Sequence, residues 1–384
     1  MTCPGCAGDA RCKGYRWRDA LTLLGAVRLR RHYYYCPRCG AGSCPRDALL
    51  GLGAHDLTPA ADEVVCLAGV LASFAEAAEK TLPRLAGLRL AESTVERATE
   101  AAGGRLAAAL AAGATLGPAQ DWAWHKDAEG QTVAYVLGDS TGVGMQGPGG
   151  AEAEGRMANV AVIANPVPED RARWADPDRR EPPPWQARYL AALRPWSELG
   201  EPLRRQGGQV GMDRAQRWVA ICDGAGGLDD FLEKNFPRVE AVILDFWHAA
   251  EYLGKPAQAL HPGDAAAAGA WRGQWCHRLK HEGGAAVLAA LRTLPARGRA
   301  ARDCLHEVTT YFANQAHRMD YPTYRAKGWY VGSGVVESAC KRVVGQRLKG
   351  GGMRWGGDGA DALCHLRALF LSDRSQWSAF WHLN

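Results

Sequence analysis

Runs of apolar residues, alternation and helical spacing divide the chain into five stretches: 1–47, 48–120, 121–248, 249–327 and 328–384. In the first, Leu21–Leu24 and Val27–Arg30 flank Gly25, which predicts two strands turning at the glycine. The second is Ala-rich and predicts helices over Ser73–Leu85 and Ser93–Ala102, joined by the short segment Gly87–Leu90. Ser93, with Glu96 three residues on, has the spacing of a capping box, and Ala111–Gln120 reads as a linker. Two helices around a short glycine-containing turn read as a DNA-binding helix-turn-helix with the second helix as the reader, the alternative being a plain helical hairpin packed on its neighbour.

The pattern then switches to strands, at Thr132–Leu137, Asn159–Ala164, Arg217–Cys222 and Val239–Leu244. Pro166–Pro184 is a charged, proline-rich loop. Trp185–Arg205 is predicted helical apart from a break at Pro195, and Leu228–Phe236 is predicted helical. Stretch 249–327 predicts helices alone. His277 and His281 there stand one turn apart near Cys276, a spacing that suits a metal site or simply a solvated helix face.

The last stretch opens on Gly-Ser-Gly at 332–334. Val336, Ala339, Cys340, Val343 and Val344 then fall on one helical stripe, opposite Glu337, Ser338, Lys341 and Arg342. Gly350–Gly352 end that helix. Leu363, Leu366, Leu369 and Phe370 predict a further helix, with Trp377 and Trp381 packing onto it.

At 384 residues there is material for two or three domains, and 47% hydrophobic with 23% charged residues is a globular balance. No apolar run approaches the ~20 residues of a membrane span, and no signal-peptide pattern precedes Cys3. The expectation is a soluble, cytoplasmic protein. Net charge is only +5, but it is unevenly spread. Residues 11–47 hold nine Lys/Arg against two acids, and 332–355 hold five (Lys341, Arg342, Arg347, Lys349, Arg354) around Glu337 alone. Patches of that kind attract phosphate.

Six of the twelve cysteines lie in the first 44 residues. Cys3-Pro-Gly-Cys6 and Cys36-Pro-Arg-Cys39 place four thiolates on two tight turns, the arrangement of a tetrahedral zinc site in a ribbon stapled by one Zn²⁺. Cys12 and Cys44 are alternative ligands, and free redox cysteines are the competing reading. Three apolar strands end on acids, at Asp139, Asp223 and Asp245, and a basic late helix carries Glu337. One such aspartate is ordinarily a turn residue. Several gathered around one sheet suit Mg²⁺ or Mn²⁺, hard cations that take carboxylate oxygens and support in-line phosphoryl transfer as a pair. For Glu337 the alternative is a helix N-terminal acid paired with Lys341.

Asp139-Ser-Thr-Gly, Asp223-Gly-Ala, Asp245 with His248, and the stretch from Gly332 to Trp355 together resemble the ISKra group of bacterial insertion-sequence DDE transposases, relatives of the Mutator-like transposases. The resemblance implies a multidomain α/β protein: an N-terminal zinc ribbon, a helix-turn-helix-like region, and an RNase H-like core interrupted by an all-helical insertion. It implies Asp139, Asp223 and Glu337 as the catalytic, metal-holding acids, with Asp245 and His248 in support. It also implies Lys341, Arg342, Arg347, Lys349 and Arg354 as contacts to DNA phosphates. The expected partners are double-stranded DNA, as terminal inverted repeats and as target, and further copies of the chain on that DNA. The expected location is the nucleoid.

Overall fold

The computed structural model describes residues 1–382 apart from Ala54, 166–185, 225–226, Ser333 and Asp373. The proline-rich loop predicted at Pro166–Pro184 lies outside the described residues. The fold is mixed α/β, built on a five-stranded mixed sheet and a separate three-stranded antiparallel sheet.

The small sheet comprises β1 (Arg11–Thr22), β2 (Gly25–Tyr35) and β3 (Gly42–Ser43). β1 and β2 form a long hairpin turning just before Gly25. Both strands run well beyond the short apolar signals that predicted them, because most of their residues are polar or exposed. The hairpin's two ends are held differently. At the cysteine end there is only a minimal core of Cys3, Ala10 and Cys36. At the turn end, Leu21 exchanges backbone hydrogen bonds with Asp56 and Thr58, and Arg18 pairs with Asp47 and Asp56.

The large sheet has β4 (Val133–Gln146) at its centre. β5 (Glu152–Asn165) and β6 (Gln186–Ala192) follow outward on one side, with β7 (Arg217–Cys222) and β8 (Val239–Leu244) on the other. β4, β5 and β6 are antiparallel; β4, β7 and β8 are parallel. The sequence of β4 explains its two halves. Val133–Gly138 is buried without interruption, as a central strand covered on both faces must be, whereas from Asp139 onward the strand is half-buried and then alternates, with Val143 and Met145 still inside. Helices Trp196–Gln209 and Leu228–Asn235 make the crossovers into β7 and β8.

β6 corrects the helix predicted over Trp185–Arg205. Only the part after Pro195 is helical, and Gln186–Ala192 pairs along β5. Its mix of Ala, Leu and Arg favours helix locally, but pairing to an open sheet edge overrides that preference. The capping box is also displaced. Glu92–Ala111 starts after Ala91, with no side-chain cap, whereas Ser73 accepts the Glu76 N–H at 3.2 Å and caps the preceding helix.

Helix Glu92–Ala111 buries Val95, Ala98, Ala102 and Leu106 in the main core. At Gly103 it crosses helix Gly357–Ser372 so closely that a Cβ would lie 2.3 Å from the Ala362 carbonyl oxygen. The segment Gly334–Ala339 is helical, continues as a π-helical stretch over Cys340–Gly345, and ends in the short turn Gln346–Leu348. Val336, Ala339, Cys340, Val343 and Val344 are all buried, as the stripe predicted. Stretch 249–327 is helical, with Phe246–Leu260, Ala265–Leu291, Arg299–Gln315 and Tyr321–Ala326 as its helices. Among the described residues no helix is long and apolar enough to cross a membrane.

Candidate active site and cysteine centre

The register of the parallel strands aligns the acids. Gly138 of β4 pairs with Cys222 of β7, and Cys222 pairs with Leu244 of β8. The next residue on each strand is Asp139, Asp223 and Asp245, so the three stand level along one sheet edge, with neighbouring strands about 4.8 Å apart. Gly224 makes the turn after Asp223. It has φ +79°, and a Cβ there would lie 2.6 Å from a methyl of Leu244. The next two residues of the predicted Asp-Gly-Ala-Gly turn, 225–226, lie outside the described residues.

Helix Gly334–Ala339 packs on β4 and β5 and delivers Glu337 to the same place. Gly138, Asp139, Asp223, Asp245, His248, Glu251, Val336 and Glu337 line one pocket of about 200 Å³. The four acids Asp139, Asp223, Asp245 and Glu337 are therefore brought together with His248, whereas His277 and His281 lie outside this pocket. Glu251 is an addition, one turn beyond His248 on helix Phe246–Leu260. Its spacing from His248 was legible, but nothing placed it among the strand-end acids.

Asp245 is 2% exposed and caps that helix, accepting the N–H groups of Trp247 at 3.2 Å and His248 at 2.9 Å. It thereby fixes the His248 backbone at the pocket wall. Asp139 accepts the Ser140 N–H at 2.6 Å and the buried thiol of Cys340 at 3.3 Å. The Ser140 hydroxyl turns away, to Asn159, at 2.6 Å. Cys340 was legible only as a member of an apolar stripe, and its thiol contact depends on how close the late helix lies to β4.

Burial raises the Asp139 carboxyl above the ordinary carboxylate range, and the charges of Asp223 and Glu337 add to the rise; Cys340 and Ser140 oppose it. The sign of the consequence is fixed by linkage. A folded-state value above the unfolded one gives stability that is present below the unfolded pKa and lost as pH rises through the folded pKa. Without divalent cations, Asp139→Asn should therefore melt at a higher temperature than wild type at neutral pH, and that difference should vanish on acidification through the carboxylate range. Thermal melts in EDTA check this; an unchanged or lower melting temperature at neutral pH would contradict it.

The donors at this pocket are carboxylate oxygens and one imidazole, which fits hard divalent cations. Among the described residues, though, only four cysteines bring three or more ligand atoms within 4.8 Å of one another. The acids share a pocket without being drawn in around a single point, as expected of carboxylates that repel one another.

Those four cysteines are Cys3, Cys6, Cys36 and Cys39. Sulfur–sulfur separations are 3.6 Å for Cys3 with Cys39 and 3.5 Å for Cys6 with Cys36. Backbone N–H groups of Cys39 and Arg38 directed at the Cys36 sulfur bring that thiol down to about 7, toward the thiolate a metal needs. The cluster can hold a zinc ion. Cys12 lies apart from it, exposed, with its sulfur 3.7 Å from His32 Nδ1, and Cys44 is outside it as well. Protein purified without chelator should carry one zinc per chain. Removing the metal should loosen the cysteine end of the hairpin while the Leu21 end stays docked. Metal analysis, and hydrogen exchange before and after chelation, test both points, and zinc-free protein with an unchanged hairpin would refute them.

No family model and no curated protein matches this chain.

Of the five predicted phosphate contacts, Lys341, Arg342, Lys349 and Arg354 are exposed, none of them lining the acid pocket, and Lys349 Nζ bonds the hydroxyl of Thr141, two residues beyond Asp139. Arg347 is not available. It is 2% exposed, its Nε donates to the Gly69 carbonyl at 2.8 Å, and its guanidinium lies over the rings of Phe74 and Trp355. The apolar stripe continues through Arg347, so its charge signal pointed outward while its helical position pointed inward. The second helix of the predicted pair is Glu92–Ala111. Its exposed first turns carry Glu92 and Glu96 against one cation, Arg97, and its other face is core. That suits the helical-hairpin alternative better than a helix laid against phosphates.

Proposed function

We propose that the chain is a DDE-type DNA transposase with an RNase H-like catalytic core. The observation that carries the reading is the alignment of Asp139, Asp223 and Asp245 by parallel strand register, with Glu337 brought to the same pocket from nearly two hundred residues away. In order of appearance the sheet strands lie third, second, first, fourth, fifth, with the first three antiparallel and the rest parallel. This is the arrangement expected of an RNase H-like core, in which the first strand, the fourth strand and a late helix supply the acids.

Asp139, Asp223 and Glu337 would hold Mg²⁺ or Mn²⁺, which when bound would supply electrostatic stabilisation of phosphodiester cleavage. Asp245 orients the start of its helix and, with it, His248. Lys341, Arg342, Lys349 and Arg354 neutralise phosphates next to the cut, so binding weakens steeply with salt. The zinc ribbon adds a second DNA contact through its exposed basic hairpin, where Arg30 lies 4.3 Å over the Tyr15 ring and Arg28 lies 5.4 Å over Trp17. Copies of the chain pair on the two element ends, in the nucleoid.

A nuclease and a transposase share the first step and differ in the second. Supplying element ends already cut to a free 3′-hydroxyl, with a target plasmid and Mg²⁺, isolates that second step. Joined products are expected; cleavage of intact ends without any joining of the pre-cut ones would reduce the function to that of a nuclease.

A further inference from the structure

Beside the acid pocket, and on the other side of Trp247, lies a larger cleft of about 580 Å³, within the roughly 300–1,000 Å³ range of ligand sites. Its walls come from four separated parts of the chain: the segment before β4, the start of helix Phe246–Leu260, helix Ala265–Leu291, and the stretch from Arg325 to Gly332 that leads to Glu337. Lys126, Lys280 and Arg325 line it, and none of the three forms an ion pair among the described residues. The nearest buried acid, Asp127, is already committed: it accepts from Arg217 at 3.1 Å, from the Trp329 indole at 3.2 Å and from two backbone N–H groups. The cleft therefore carries uncompensated positive charge.

Its aromatic edge is as unusual as its charge. Trp247 is 62% exposed, although indole is among the costliest side chains to leave in water. It is not loosely held. Its backbone N–H is fixed by Asp245, and Phe246 meets its ring edge-on at 5.4 Å between centroids. The flanking residues 245 and 248 both line the acid pocket, so the free indole stands at the boundary between that pocket and the cationic cleft.

We propose that this cleft binds a single-stranded segment of nucleic acid, with one unstacked base on the Trp247 indole and the neighbouring phosphates on Lys280, Arg325 and Lys126. A rigid exposed aromatic combined with unpaired cations is the recognition chemistry of single strands: every base offers a π-face, and each phosphate offers a charge. A duplex offers only the phosphates, because its bases are already stacked. The inference rests on the reading of the acid pocket as a site acting on DNA, and adds that the strand leaving that pocket is held unpaired.

Fluorescence anisotropy of a labelled oligothymidine, in EDTA, tests it without any cleavage step. Failure here is thus separable from failure of the catalytic reading, which only the acid variants and cleavage assays address. Trp247→Ala should weaken oligothymidine binding about 5–100-fold, Trp247→Phe should retain most of it, and affinity for a duplex of the same length should change little. Lys280→Ala and Arg325→Ala should each flatten the salt dependence by roughly 0.7 in log–log slope. Because Trp247 is exposed, the alanine variant should melt with wild type, which confirms that the fold is intact. Unchanged oligothymidine binding in Trp247→Ala, or an equal loss for single strand and duplex, would overturn the proposal.

Discussion

Asp223→Asn abolishes DNA cleavage as completely as Asp139→Asn or Glu337→Gln, at least about 10³-fold, while DNA binding persists; Asp245→Asn retains cleavage reduced about 10–100-fold. Those are the expected results, and the geometry says why they differ. Asp139, Asp223 and Glu337 line one pocket, and there burial, with the charges of Asp223 and Glu337 adding to it, raises the proton affinity of Asp139. Under the proposed function, removing any one would remove a charge that bound cations would need, so double variants should be no worse than single ones. Asp245 lines the pocket too, but it is 2% exposed and accepts the N–H groups of Trp247 and His248. Asparagine keeps an oxygen for one of those bonds and so preserves much of the helix start. Single-turnover cleavage of an end-containing duplex separates the outcomes. Dead Asp245→Asn beside active Asp223→Asn would transfer the metal-holding role to Asp245.

The second large effect is on stability. Arg347→Ala should cost roughly 2–4 kcal/mol, with little direct effect on DNA affinity in whatever protein remains folded. Arg347 and Arg367 both reach the last turn of helix Pro59–Leu71, where backbone carbonyls have no helical partner. Arg347 takes the Gly69 carbonyl at 2.8 Å, and Arg367 takes Val70 at 2.9 Å and Val343 at 3.1 Å. Cations at a helix C-terminus are also favoured by its dipole. Truncation leaves a buried carbonyl unpaired and a cavity between Phe74 and Trp355. Lysine cannot restore the planar contact with both rings, so Arg347→Lys should recover only part of the loss. Urea melts of both variants measure this. A fully stable Arg347→Ala with weakened DNA binding would restore the phosphate contact expected from sequence.

Arg347 also illustrates what could be read in the sequence. The three aspartates were legible because the buried part of a parallel strand is an unbroken apolar run closed by its first acid, although β4 itself runs on past Asp139 to Gln146 and does not end there as expected. Asp139, Asp223 and Asp245 stood out for that reason, although only the strand pairing puts them level. The late helix was legible from its stripe, which is buried and leaves Glu337 on the opposite face, at the pocket. β6 was not: its residues favour helix, and its strand identity comes from a neighbour elsewhere in the sequence. The local signals of Cys340, one position in an apolar stripe, and of Glu251, one turn from His248, did not point to the pocket, since each acquires its place from the approach of one helix to a strand or pocket. The cysteine knuckles were the opposite case, with each pair preformed by its own turn, and all four sulfurs converge as their spacing implied.

One measurement bears most directly on the acid pocket as a phosphodiester-cleaving site. A supercoiled plasmid carrying the DNA that flanks this gene is incubated with the protein in Mg²⁺, in Mn²⁺ and in EDTA, and the cut positions and their end chemistry are mapped. The expected result is metal-dependent cleavage at the element ends, leaving 3′-hydroxyls, in wild type and none in Asp139→Asn. A folded, DNA-binding wild type that cuts in neither metal, or an Asp139→Asn variant that cuts as well as wild type, would contradict it.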